Sequence, residues 1–248
     1  MIRKFIWIVL ITFFALTACQ AENSPSTETP TLGIINLQVT LGSTHWMDKV
    51  AQCSNQIPNL GVYRQILPVN ELDLSTSDLI LRLGERQETD PYVTVLGTEE
   101  IVLVAGQDVP VDALSLETVH AIFTSMITQW DQVPETQEGS FEGTQKITTL
   151  SYPSGHELHR LLETSLLNGK SITTNLVVFS TGETLETLLN EHPFAIGYAL
   201  KSQVPEGVRI LNITSDNPQP GLQYVLAITP QEPTGLLREL LLCLQNAP

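Results

Sequence analysis

The chain has 248 residues, 42% hydrophobic and 16% charged, enough for a sizeable core and for one large or two small domains. Twelve Lys and Arg stand against 27 Asp and Glu, a formal net charge of −15, which argues against a nucleic-acid groove, since phosphate backbones need clustered basic side chains. Acidity does not exclude a small anion, because a recessed site can hold one on the backbone N–H groups of helix N-termini.

Arg3 and Lys4 precede an apolar run from Phe5 to Leu16, then Thr17-Ala18-Cys19. A basic start, an apolar stretch and small residues before a cut predict a secretory signal over residues 1–18. The run is short for a membrane-spanning helix. Leu16-Thr17-Ala18-Cys19 resembles the bacterial lipobox. That implies acylation of Cys19 and a lipid anchor on the extracytoplasmic face of the cell membrane. Residues 19–32 are rich in Ser, Thr, Pro and Glu, cannot bury apolar surface, and read as a flexible tether.

Gly33 to Val39 predicts a first strand. Thr40-Leu41-Gly42-Ser43-Thr44 follows, then a helix from His45 to Gln52 with Trp46, Val50 and Cys53 spaced for burial. A strand, a Gly-Ser-Thr turn and a helix start can form an oxyanion cradle of free N–H groups and hydroxyls, or simply an N-cap. Asn59–Leu67 and Leu79–Leu83 read as strands. Ile101 to Ala105 is short and apolar on both faces, as a buried strand is. Gly106 to Pro110 breaks it. Ser115 can cap a helix whose apolar positions are Val119, Ile122, Phe123 and Met126, with Trp130 just beyond its end. Lys146–Leu150 predicts a short strand. Ser154-Gly155-His156 leads into a helix from Glu157 to Leu167. Asn175–Ser180 reads as a strand and Thr181 or Thr184 as a helix start. Phe194–Leu200, Val208–Ile213 and Gln223–Ile228 read as strands, and a last helix runs from Thr234-Gly235 through Leu244.

Leu114-Ser115-Leu116-Glu117, the ending Ile122-Phe123-Thr124-Ser125-Met126-Ile127-Thr128-Gln129-Trp130, Gly42-Ser43-Thr44, Ser154-Gly155 and Ala195-Ile196-Gly197-Tyr198 together resemble the phosphate-binding (PstS-like) substrate-binding proteins of ABC importers. The resemblance implies an α/β, two-lobed type 2 periplasmic-binding-protein fold with two crossing strands, near Ile101–Ala105 and Ala195–Leu200. Lobe 1 would hold about 33–104 and 201–248, and lobe 2 about 105–200. It implies a monomer that takes a small oxyanion between the lobes and works with ABC permease subunits. The implied ligand residues are Ser43, Thr44, Ser154, Gly155 and His156, with Arg82 as the nearest cation. A second register, Leu72 to Asp78, fits a ligand-facing Asp, but spacing to the next strand favours Arg82.

Three departures bear on the site. The second ligand loop is short, with Pro68 to Asp73 in its place. His156 stands where the family carries Thr. No Arg stands at the position of Leu150 or Ser151, which removes the bidentate partner of a phosphate. His156 could donate, and carry charge below pH ~6.5. The alternative is a lipoprotein that kept the fold, lost oxyanion binding, and serves as a sensing or interaction module. In this fold the last helix returns to the first lobe, so Cys53 and Cys243 either pair or stay as buried thiols. No cofactor motif is present, neither P-loop nor dinucleotide fingerprint. Of the five histidines only His156 and His159 lie close together, and no Cys or acid completes a metal-ligand pattern around them. An enzyme is not expected: a serine hydrolase would need a base near Ser154 that the sequence does not reveal, and the Gly-x-Ser-x-Gly elbow is missing.

Overall fold

A computed structural model describes residues 32–136, 144–173, 176–178 and 184–246. The leader, Cys19 and most of the tether lie outside these residues. The strands are Gly33–Thr40 (β1), Leu60–Leu67 (β2), Leu79–Leu83 (β3), Tyr92–Ala105 (β4), Ala113–Ser115 (β5), Thr148–Ser151 (β6), Leu176–Val178 (β7), Ala195–Leu200 (β8), Arg209–Thr214 (β9) and Leu222–Thr229 (β10). They form one mixed sheet in the order β2-β1-β3-β10-β4-β8-β6-β7, with β9 pairing β4 and β5.

Two halves share this sheet through β4. Residues 92–100 of β4 pair antiparallel with β10, which pairs in turn with β3. Ile101–Ala105 pair with β8 and β9 instead. On that second segment Ile101, Leu103 and Ala105 enter the main core, and Val102 and Val104 enter a smaller cluster with Leu150 and Ala199 on the opposite face. Alternation along a strand sends successive side chains to opposite faces, so a run apolar on both faces is covered on both faces.

The sheet order and the paired halves are those of a two-lobed α/β binding-protein fold. One pairing bears on where the lobes divide. β9 pairs with the second half of β4 and with β5, so Arg209–Thr214 belong to lobe 2. Pairing passes to the first half of β4 only with β10, from Leu222 on. Gly221 sits just before that strand, where an added Cβ would stand 2.1 Å from the Ile101 carbonyl oxygen. Only glycine permits that approach of two backbones.

Helices cover the sheet as the apolar spacing predicts, with ends that shift. Ser115 caps Leu116–Phe123 by accepting from the Thr118 N–H. That helix stops at Thr124, before Ser125 at φ 62°. Met126 is consequently 72% exposed rather than on the apolar face. Trp130 is fully buried and its Nε1 donates to the Phe194 carbonyl. A disulfide joins Cys53, on helix Met47–Gln56, to Cys243, on helix Gly235–Asn246.

Candidate functional site: a carboxylate in an oxyanion cradle

β1 ends at Thr40, the N-cap of a 3-10 turn, Leu41–Trp46, that leads into the Met47–Gln56 helix. Thr40 and Ser43 are both fully buried. β3 ends at Leu83, where the chain turns through Gly84 at φ 111°. From lobe 2, the helix Glu157–Ser165 points its first residue at this corner.

Glu157 is 1% exposed. Its Oε2 accepts from Thr40 Oγ1 at 2.5 Å and lies 3.4 Å from Ser43 Oγ. Its Oε1 accepts from the Leu83 N–H at 3.0 Å. Ser43 Oγ is itself 3.0 Å from Thr40 Oγ1. Gly42 makes room, since a Cβ there would meet Glu157 Oε2 at 2.8 Å. Two hydroxyls and a backbone N–H of lobe 1 thus converge on one carboxylate of lobe 2. Burial pushes the Glu157 carboxyl up to about 7, against the opposing pull of the Thr40 and Leu83 bonds and of Arg160 and Arg82.

The implied ligand residues are only partly gathered here. Ser43 is in the cradle. The Thr44 hydroxyl is spent on the Leu41 carbonyl of its own turn. Arg82 lies on the sheet face that also carries Ile80, 3% exposed. It is bound to Asp90 at 2.5 Å and to the Glu85 carbonyl at 2.9 Å. Ser154 and Gly155 form an exposed turn, and no heavy atom lies within 4 Å of where a Gly155 Cβ would stand.

His156 caps the helix, its Nδ1 accepting from the Leu158 N–H, and stacks on Tyr152 with centroids 4.3 Å apart. Burial, then the neighbouring His159, push its pKa down to about 4, so the protonation expected near pH 6.5 does not occur on this ring.

Thr40, Glu157, the Leu83 N–H and Arg160 were not singled out from the sequence. One signal was available: Glu157 stands four residues before Leu161, on the stripe that Leu158, Leu161 and Leu162 bury. An acid on an apolar stripe calls for a partner.

A second polar cluster surrounds Ser151. Its Oγ lies 2.8 Å from Tyr198 OH and 3.2 Å from His159 Nδ1, and His159 Nε2 lies 3.3 Å from Glu163. The order Ser–His–Glu has the look of a nucleophile set, but Ser151 is fully buried and no substrate carbonyl can reach it in this state. Among the described residues no group of His, Cys, Asp and Glu is placed to hold a metal ion, and no helix is long and apolar enough to cross a membrane.

This architecture is the PstS-like type 2 periplasmic-binding-protein fold. An ABC-type phosphate transport receptor from Vibrio cholerae superposes with a TM-score of 0.69 at 18% identity, covering 86% of this chain and 94% of that one. A protein assigned as a phosphate ABC transporter substrate-binding protein from Clostridium perfringens, with phosphate bound, superposes with a TM-score of 0.68 at 14% identity, covering 85% and 92%. The regulatory domain of CcmR from Synechocystis PCC6803, in complex with 2-PG, shares the fold at a TM-score of 0.56 and 13% identity, covering 87% and 99%. No protein-family model and no curated protein matches the chain.

Proposed function

We propose that the chain is an extracytoplasmic solute-binding protein of an ABC uptake system, anchored through lipid on Cys19 and tethered by residues 19–32. It takes a small oxyanion, or a ligand bearing one, between its lobes. The observation that supports this most is the cradle: Thr40 Oγ1, Ser43 Oγ and the Leu83 N–H converge on a carboxylate. A site that holds the Glu157 carboxylate can hold a free oxyanion of similar donor demand once the lobes part and Glu157 withdraws. The exposed Ser154-Gly155 turn would then supply the lobe 2 contacts. Permease subunits would meet the closed form, as a monomer. The transport roles named for the Vibrio and Clostridium proteins agree with this reading.

One observation favours a second reading. Glu157 already fills the cradle and is buried there, so the fold could serve as a sensing or interaction module with no free ligand. Thermal shifts with phosphate, sulfate and molybdate, on the wild type and on Glu157→Ala, separate the two. A ligand at about 100 times its Kd adds about 2.7 kcal/mol, or roughly 5–10 °C at this chain length. A shift in either protein that Thr40→Val abolishes supports binding. No shift in both leaves the module reading.

A further inference from the structure

Beside the cradle lies a second, open space. A cavity of about 640 Å3 runs between the loop after β3, the start of β10 and the Glu157–Ser165 helix. It falls in the size range of small-molecule sites, about 300–1,000 Å3, and far exceeds what a tetrahedral oxyanion fills. Arg86 lines it from lobe 1 and Arg160 from lobe 2. Thr164, Asn217, Gln219 and Gln223 supply hydroxyl and amide groups around them, and Glu85 is the acid in the wall. In a chain with 12 basic residues against 27 acidic ones, two arginines facing one cavity from opposite lobes stand out.

Arg160 is the more deeply set of the two. Its Nε and Nη2 are buried and have no hydrogen-bond partner among the described residues. That edge is turned in towards Gly84, with Nη2 4.0 Å from where a Gly84 Cβ would stand. Arg82, the neighbouring cation, is already held by Asp90. The buried Arg160 edge is closed off from the cavity, and Glu157 offsets the Arg160 charge. The cavity meets the remainder of the guanidinium, which with Arg86 gives its wall two positive charges for one carboxylate or phosphoryl group.

We infer that this cavity is a binding site for a hydroxylated organic anion of about sugar-phosphate size. Its oxyanion head is held between Arg160 and Arg86, and its hydroxyls meet Thr164, Asn217 and Gln223. Glu157 stays in the cradle when it binds. The ligand bridges the lobes and holds them closed. Inorganic phosphate alone leaves most of the cavity to water.

Calorimetric titration tests this with glucose 6-phosphate, gluconate, glucose and inorganic phosphate, on the wild type, Arg160→Gln, Arg86→Gln and the cradle variant Thr40→Val. Glucose 6-phosphate or gluconate should bind the wild type, and whichever binds more tightly identifies the head as phosphoryl or carboxylate. Each arginine variant should lose at least tenfold in affinity for that anion. Arg86 is exposed, so its variant stays folded even where Arg160→Gln is unstable. The inference is overturned if neither organic anion binds, if glucose binds as tightly as its phosphate, or if the arginine variants bind unchanged. Inorganic phosphate binding that depends on Thr40 but not on Arg160 or Arg86 would uphold the cradle and end this proposal.

Discussion

At the scale of single residues, two buried groups set opposing pH dependences. Glu157, raised to about 7 in the fold from an ordinary 4.5, binds a proton the unfolded chain has released between those values. Stability therefore falls as pH rises from about 4.5 to 7. His156, lowered to about 4 from 6.5, stays neutral where the unfolded chain is protonated. Its contribution is lost as pH falls from about 6.5 to 4. The two slopes oppose each other across pH 4.5–6.5. Glu157→Gln removes only the first, so the variant should gain on the wild type as pH rises, by up to about 3 kcal/mol between pH 4.5 and 8. Urea unfolding at three pH values reads this, and parallel curves would mean that Glu157 ionises as a surface acid does. Residue roles were the least legible part of the sequence. Ser43 reads as a ligand residue from the Gly-Ser-Thr turn, and its hydroxyl lies 3.4 Å from Glu157, another part of the chain. Arg82 was read as a cleft cation because nothing local shows that Asp90, eight residues on, claims it.

Secondary-structure elements were more legible, because burial leaves a periodic trace. Ile101–Ala105 read as a strand covered on both faces, and it is. The preceding residues, Tyr92 to Glu100, mix polar and half-buried positions and gave no such trace. Their strand character comes from pairing with β10, a partner more than a hundred residues away. The helix after Ser115 was legible at its start, where a hydroxyl meets a free N–H, and less so at its end, where a left-handed Ser125 stops it without a Gly. Replacing the cap, Ser115→Ala, should cost about 1 kcal/mol, measurable as a lower urea midpoint with unchanged m-value. Gly221→Ala should be far worse. Its Cβ would overlap the Ile101 carbonyl at the point where the chain changes lobes, and a loss of about 3 kcal/mol or more is expected. A variant as stable as wild type would show that the two backbones part there.

For the whole molecule, the disulfide is the dominant constraint. Cys53 and Cys243 are 190 residues apart in sequence, so the bridge closes nearly the entire domain into one loop. On the chain-entropy argument such closure adds about 5 kcal/mol, and removal of native bridges typically costs about 2–5. Cys53→Ala with Cys243→Ala should lower the melting temperature by roughly 5–15 °C. An equal melting temperature with and without reductant would show that the thiols are not paired in solution. Both ends of the bridge lie on helices that pack together beside the lobe 1 sheet, while all of lobe 2 is strung between them.

That arrangement makes the domain a ring with a clasp. A protease that nicks lobe 2 once, anywhere in its loops, cannot release a fragment, because both pieces remain fastened at Cys53 and Cys243. A nicked protein should run as one band without reductant and as two with it. The clasp lies wholly within lobe 1, on helices Met47–Gln56 and Gly235–Asn246, so it places no covalent tie between the two lobes. As long as the bridge is intact, a cut lobe 2 stays tied to lobe 1 and can settle back into place.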